Sequence, residues 1–441
     1  MPDTAPELLL APHWLVTVDS ADRVLVDHVL AVRAGRIADI LPRGEAAQRY
    51  PNAPLRELPG HALMPGLINA HTHAAMTLLR GMADDLPLMQ WLQEHIWPAE
   101  GRWVDEQFVQ DGVDLALAEM LRGGTTCFQD MYFFPETTAA RAAGAGMRVV
   151  AGMLLLDFPT PYADGPDQYL EKGLALHDQF RGHPLVTTTF APHAPYTVSD
   201  GPLEQIRIYA DELDVGVHMH VHETEGECRA AVESNGERPL ARLHRLGLLA
   251  PTFLAVHMTA VTDDEIALVG RTGANVIHCP EANLKLASGF CPVQRLLDAG
   301  VNVALGTDGA ASNNDLDLFG EMRTAALLAK GVTGDAAAVP AATALRMATI
   351  HGARALGLED EIGSLEVGKA ADLVAVDLTH ADTQPVHDVT SQLVYATGCH
   401  RVRSVWVAGC ELVRDGHLTG LDEADITARA ANWRDRIAAA R

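Results

Sequence analysis

The chain has 441 residues, enough for one domain of barrel size with a smaller one beside it, or for two or three ordinary domains. Its 48% hydrophobic and 21% charged content are those of a globular enzyme, not of a disordered chain. A formal charge of −25 and a pI near 5.1 argue against a partner held through its phosphates, and no Lys/Arg cluster exceeds short pieces such as RVR at 401–403, so no nucleic acid is expected.

The first stretch, MPDTAPELLLAPHWLVTVDS, lacks the basic start and long apolar run of a secretory signal, and no segment approaches the ~20 apolar residues of a membrane span. The six cysteines form neither a CxxC pair nor a regular spacing, which favours a reducing compartment over a disulfide framework. A cytoplasmic enzyme with no membrane partner is the expectation.

Residues 1–62 read as short strands (HWLVTV, VLVDHVLAVRAG, RIADILP) punctuated by Gly, Pro and Asp. The same texture returns within 363–441, in ADLVAVDL and SVWVAGCELVRDG, before a C-terminal helical stretch. The two flanks are expected to complete one small β-sandwich domain. Between them, 63–362 carries eight apolar runs: ALMPGLINAHTH, TTCFQDMY, MRVVAGMLLLD, LVTTTFAPHAP, VGVHMHVHE, TFLAVHM, ANVIHCP and VNVALGTDG. Helical periodicity fills most gaps, as in 104–123 and 318–331. That alternation predicts an α/β chain, a (β/α)8 barrel of TIM type.

Functional groups of such barrels sit at the C-terminal ends of the strands. The runs end in His71/His73, His193, His220, His257, His278 and Asp308. His71 and His73 share one face of a strand, as two imidazoles on one metal require; taken alone they read as a hydrogen-bonded pair at a strand end, and the other strand ends are what favour a metal. His218, His220 and His222 would share a face, and only one or two can reach one metal. Glu223 would face away on a regular strand and becomes useful only if the chain turns at His222. His257 alone reads as a structural histidine, and Asp308 alone as a turn or cap residue. Together, three histidines and an aspartate from strands one, five and eight make an N/N/N/O zinc site with a position left for water.

PGLINAHTH, HVHE, GTDGAASNN and GSLEVGKAADLVAVD together resemble the amidohydrolase superfamily. FAPHAPY, NLKLASG and LLRGMADDLPLMQWLQEHIWPAE look like its 5′-methylthioadenosine/S-adenosylhomocysteine deaminase branch, related to triazine chlorohydrolases and guanine deaminases. The resemblance implies one divalent metal, usually zinc, on His71, His73, His220 and Asp308. The lysine that bridges two metals in dinuclear relatives has no counterpart in LVTTTFAPHAPY.

The resemblance also implies roles. Glu223 would shuttle a proton to the substrate ring, while His257 and Asp308 would take a proton from water and orient it. Glu100 would accept from the ribose hydroxyls, His193 would contact the nucleoside and Trp91 would line the pocket; by packing alone, Glu100 is an exposed residue after Pro98 and Trp91 a core residue. The expected partners are therefore a purine nucleoside and water, with a homo-oligomer common among relatives. One departure matters. Relatives that take S-adenosylhomocysteine commonly use arginines after strand three, and 149–173 holds no arginine and a single lysine, Lys172. Methylthioadenosine or adenosine is thus expected ahead of S-adenosylhomocysteine. Guanine deamination, triazine dechlorination and a catalytically silent scaffold are the alternatives.

Overall fold

Leu- and Val-rich runs at the N-terminus form β1 (Leu8–Val16), β2 (Val24–Val26), β3 (His28–Arg33), β4 (Arg36–Pro42) and β5 (Leu55–Pro65). The computed structural model describes residues 6–439; the extreme ends of the two flanking segments, 1–5 and 440–441, lie outside it. The chain leaves β5 through Gly66, where a Cβ would fall 2.0 Å from Thr126 Oγ1, so only glycine lets the two layers meet there.

The barrel follows directly. Its strands are β6 (Leu67–Thr72), β7 (Thr125–Asp130), β8 (Arg148–Leu155), β9 (Val186–Pro192), β10 (Val217–Val221), β11 (Phe253–His257), β12 (Asn275–His278) and β13 (Val303–Leu305). They are hydrogen-bonded in chain order, each pair parallel. Side chains fill the inside and helices cover the outside, which is why these runs are almost continuously apolar. Side chains close the seam between β6 and β13: Asn69 Nδ2 donates to Thr307 Oγ1 at 2.7 Å, and Thr307 N–H donates to Asn69 Oδ1 at 3.0 Å. The helix expected over 104–123 spans Glu106–Arg122, started by the Asp105 side chain, which accepts from Phe108 N–H at 2.8 Å.

The C-terminal flank supplies β14 (Leu373–Asp377), β15 (Val402–Val407), β16 (Cys410–Arg414) and β17 (His417–Leu418). β14 pairs antiparallel with β5, so strands from both chain ends join one nine-stranded sheet. Leu10, Leu30, Leu63, Leu373 and Trp406 form its buried core. The last helix, Glu423–Ala438, returns to the barrel, and Trp433 Nε1 donates to Asp111 Oδ2 at 2.9 Å. Among the described residues no helix is long and apolar enough to cross a membrane.

Candidate metal centre and active site

His71 lies on β6, while His73 sits just beyond it, where the backbone (φ −123°, ψ 73°) turns into a short 3₁₀ helix. The Asp130 carboxylate at the end of β7 fixes that turn, accepting from Ala74 N–H at 2.7 Å and Thr72 Oγ1 at 3.0 Å. His220 points in from β10. Asp308 follows β13 in a left-handed conformation (φ 61°), and its N–H donates to His71 O at 3.1 Å. Gly306 permits this approach, since a Cβ there would lie 2.8 Å from His71 Cβ. One ligand atom from each of His71, His73, His220 and Asp308 lies within 4.8 Å of all the others.

Hydrogen bonds on the far side of the rings show that the group fits a cation. His73 Nδ1 donates to Met131 O at 2.5 Å and His220 Nδ1 donates to His193 O at 2.7 Å, so both Nε2 atoms turn bare lone pairs inward. The His73 lone pair faces Asp308 Oδ1 at 3.2 Å, acceptor against acceptor, and His220 Nε2 lies 3.3 Å from His71 Nε2. A cation resolves both conflicts, and a nitrogen-rich set with one carboxylate suits zinc. The electrostatics mark the same place for a positive charge: without the ion a proton on His73 Nε2 supplies it, and a bound metal would take that proton's place. Burial lowers His71 to about 4; burial opposes a charge on His73 too, but the Asp308 carboxylate outweighs it and raises this ring to about 9. Burial works against ionising Asp308, yet its bonds to His71 and His73 hold it well below the usual carboxylate range.

His218 packs on the outer side of His71, with its Nε2 at 3.1 Å from His71 Nδ1. His222 leaves the group altogether: the strand stops at Val221, His222 adopts φ 53°, and its ring nitrogens engage Ala260 O and Leu240 N–H. That turn swings Glu223 inward. Its carboxyl lies 3.8 Å from His257 Nε2 and 3.5 Å from Ser288 Oγ, and burial raises its pKa. His257 is itself left-handed (φ 75°), and Asn283 Oδ1 holds its Nδ1 at 2.9 Å. Three left-handed non-glycine residues at three strand ends are costly, and such strain concentrates at functional sites.

These residues open onto a cavity of about 320 Å³. Trp91, Glu100 and His193 line it together with Glu223, His257 and Asp308; His278 is buried and does not. Glu100 is buried rather than exposed, and burial raises it to about 7. His193 is lowered to about 3, chiefly by burial and then by His73. Its Nδ1 donates to Thr197 Oγ1 at 3.0 Å, because that hydroxyl donates to Ala194 O, and Nε2 is left as an acceptor. Met76, Leu154, Leu156 and Phe158 supply apolar wall, and no lysine or arginine is among the described lining residues. Lys172 is occupied elsewhere, bonded to Tyr162 O and 4.3 Å from the centre of the Tyr162 ring.

Several supporting residues went unassigned in the sequence reading. Glu227 accepts from the N–H groups of Glu223 at 2.8 Å and His222 at 3.2 Å. Ser312 donates to Asp308 Oδ2 at 2.8 Å. Asn283 and Ser288 belong to NLKLASG, and Ser312 to GTDGAASNN, motifs that signalled the family without revealing what each residue touches.

A parallel barrel carrying three histidines and an aspartate at its strand ends defines a metal-dependent hydrolase. The chain belongs to the amidohydrolase family, whose pattern matches residues 62–412. A relative from Teredinibacter turnerae, named 5-methylthioadenosine/S-adenosylhomocysteine deaminase, is 53% identical over 99% of both chains. One from Saccharophagus degradans with the same name is 50% identical over 99% of this chain and 98% of its own. Among solved structures, an adenosine deaminase from Xanthomonas campestris with bound zinc superposes with a TM-score of 0.97 at 53% identity, covering 99% of this chain and 100% of that one. The zinc-complexed atrazine chlorohydrolase of Arthrobacter aurescens, at 24% identity and a TM-score of 0.91 over 97% of this chain and 99% of its own, shares the fold.

Proposed function

We propose that the chain is a zinc-dependent hydrolytic deaminase that converts 5′-methylthioadenosine or adenosine, ahead of S-adenosylhomocysteine, to the inosine analogue and ammonia. The observation that carries this reading is the meeting of a one-metal ligand group, a buried Glu223 and a buried Glu100 in one cavity. The 53% identity to the zinc-containing adenosine deaminase supports it. The reaction belongs to the barrel, 63–362, with 1–62 and 363–441 as its flanking support.

Bound zinc would polarise a water and bring its pKa down to about 7. Asp308 would accept a proton from the attacking water as the water oxygen adds to C6 of the adenine. Glu223, whose pKa burial raises, gives a proton to N1, so that negative charge does not build on the ring. Asp308 then returns its proton to the departing amine, which leaves as ammonia. The remaining hydroxyl proton goes to Glu223, restoring it for the next cycle. His257, its Nδ1–H held by Asn283 Oδ1, turns Nε2 toward the attacking water and accepts from it, orienting its oxygen toward C6.

Glu100 accepts from the ribose, His193 presents its Nε2 to the nucleoside, and Trp91 packs beside the sugar. The apolar wall around Leu154 suits a methylthio group, whereas the carboxylate of S-adenosylhomocysteine would lie there without a cation. Rates of ammonia release from methylthioadenosine, adenosine, S-adenosylhomocysteine and guanine test the reading. We expect kcat/KM for the first two to exceed the third about tenfold or more. Equal rates on all three nucleosides would overturn the tail preference, and activity on guanine alone would overturn the adenine reading. A cytoplasmic setting and a homo-oligomer belong to the same proposal; cell fractionation and light scattering test them.

A further inference from the structure

Two buried hydrogen-bond donors on the cavity wall have no partner among the described residues: the Trp91 Nε1–H and the Tyr132 hydroxyl. Both side chains are almost completely enclosed, at 5% and 4% exposure, and Glu100 lines the same cavity at 9%. A buried donor without an acceptor is expensive, and native structures rarely keep one unless a ligand or water serves it. The Tyr132 hydroxyl lies close enough to the Glu100 carboxyl to interact with it, and each shifts the other's ionisation, but the contact misses the geometry of a made hydrogen bond and leaves the hydroxyl able to turn to a ligand beside the carboxyl. The Tyr132 ring centre lies 6.4 Å from that of His73, so this polar group adjoins the ligand cluster.

We infer that Tyr132 and Trp91 complete, with Glu100, a subsite that reads a vicinal diol, and that Tyr132 is a specificity-determining residue for ribose over deoxyribose. This rests on the nucleoside reading above. The hydrogen-bond count closes on a diol. Two hydroxyls donate their protons to the two oxygens of the Glu100 carboxylate, and each hydroxyl oxygen still accepts one bond, from Trp91 Nε1–H or from the Tyr132 hydroxyl. Removing either substrate hydroxyl leaves one wall donor and one carboxylate oxygen bare together. A site built to bond a hydroxyl rejects the analogue lacking it far more strongly than an apolar pocket rejects a missing methylene.

The test compares kcat/KM for adenosine, 2′-deoxyadenosine and 3′-deoxyadenosine in the wild type, Tyr132→Phe and Trp91→Phe. Both substitutions keep an aromatic ring in place, and circular dichroism and zinc content check that each variant is intact. The wild type is expected to prefer adenosine over each deoxy analogue about tenfold or more. Tyr132→Phe should erase most of its preference over one analogue, and Trp91→Phe over the other. A wild type without preference, or variants that slow all three nucleosides by one factor, would overturn the subsite. Should no adenine nucleoside be turned over, the proposed reaction fails, and calorimetric binding of inosine against 2′-deoxyinosine and 3′-deoxyinosine then decides the diol reading by itself.

Discussion

Replacing Glu227 by glutamine would leave the metal ligands untouched and loosen the proposed proton donor. The Glu227 carboxylate receives the N–H of Glu223 at 2.8 Å and that of His222 at 3.2 Å, at the point where His222 holds φ 53° and the chain turns out of β10. Glutamine keeps one acceptor oxygen and turns an amide NH₂ toward the other N–H. A buried donor deprived of its acceptor costs ~1–3 kcal/mol, and each ~1.4 kcal/mol lost from transition-state alignment is tenfold in rate. Among the described residues the Glu223 carboxyl has a 3.5 Å contact from Ser288 Oγ and His257 Nε2 at 3.8 Å, both long, so its aim depends on its backbone. Steady-state deamination of adenosine should therefore show kcat falling about ten- to a hundredfold in metal-replete protein, with zinc content unchanged. The pH dependence sharpens the test. Burial raises Glu227 to about 7 from its ordinary 4.5, so the folded chain holds a proton that the unfolded chain releases. Its contribution to stability is thus present below about pH 4.5 and lost as pH rises through about 7. Below that range the wild-type carboxyl is itself protonated and resembles glutamine, so the gap in kcat should narrow on the acid side. A metal-replete Glu227→Gln enzyme with the wild-type kcat above pH 7 would refute the reasoning.

Glu223→Gln should bind zinc normally and lose ~10²–10⁴ in kcat, the usual worth of a positioned proton donor; retention of most activity would remove it from the mechanism. His220→Ala should lose its metal by elemental analysis, and its melting temperature should no longer rise when zinc is added, as the wild-type value should. Glu100 is raised to about 7 by burial, and only its carboxylate form can accept two hydroxyls. Inosine affinity, measured by calorimetry, should therefore strengthen as pH rises through about 7 and be flat in Glu100→Gln. A flat wild-type profile would count against that contact.

Much of the barrel was legible because continuous apolar runs separated by amphipathic stretches have few other solutions, and all eight proposed runs are strands. The ligand group was legible for a related reason: ionisable residues at the same end of successive buried runs are too costly to be accidental. What lay beyond reach depends on where a strand stops. His218, His220 and His222 are equivalent by period-two counting; the left-handed turn at His222 retires that ring and delivers Glu223, while His218 packs behind His71 at 3.1 Å from its Nδ1 and leaves His220 to the ligand group. No composition or periodicity signals that turn, because its determinant is a carboxylate four positions after Glu223 bonding back to the backbone. Tyr132 is the extreme case. At the end of TTCFQDMY it reads as one more buried aromatic, and its side chain is indeed enclosed. Its hydroxyl acquires meaning only from having no hydrogen-bond partner among the described residues, a property of the folded cavity that no stretch of sequence carries. Specificity in this site is therefore written less in the residues that hold the metal than in polar atoms left unsatisfied until a substrate arrives.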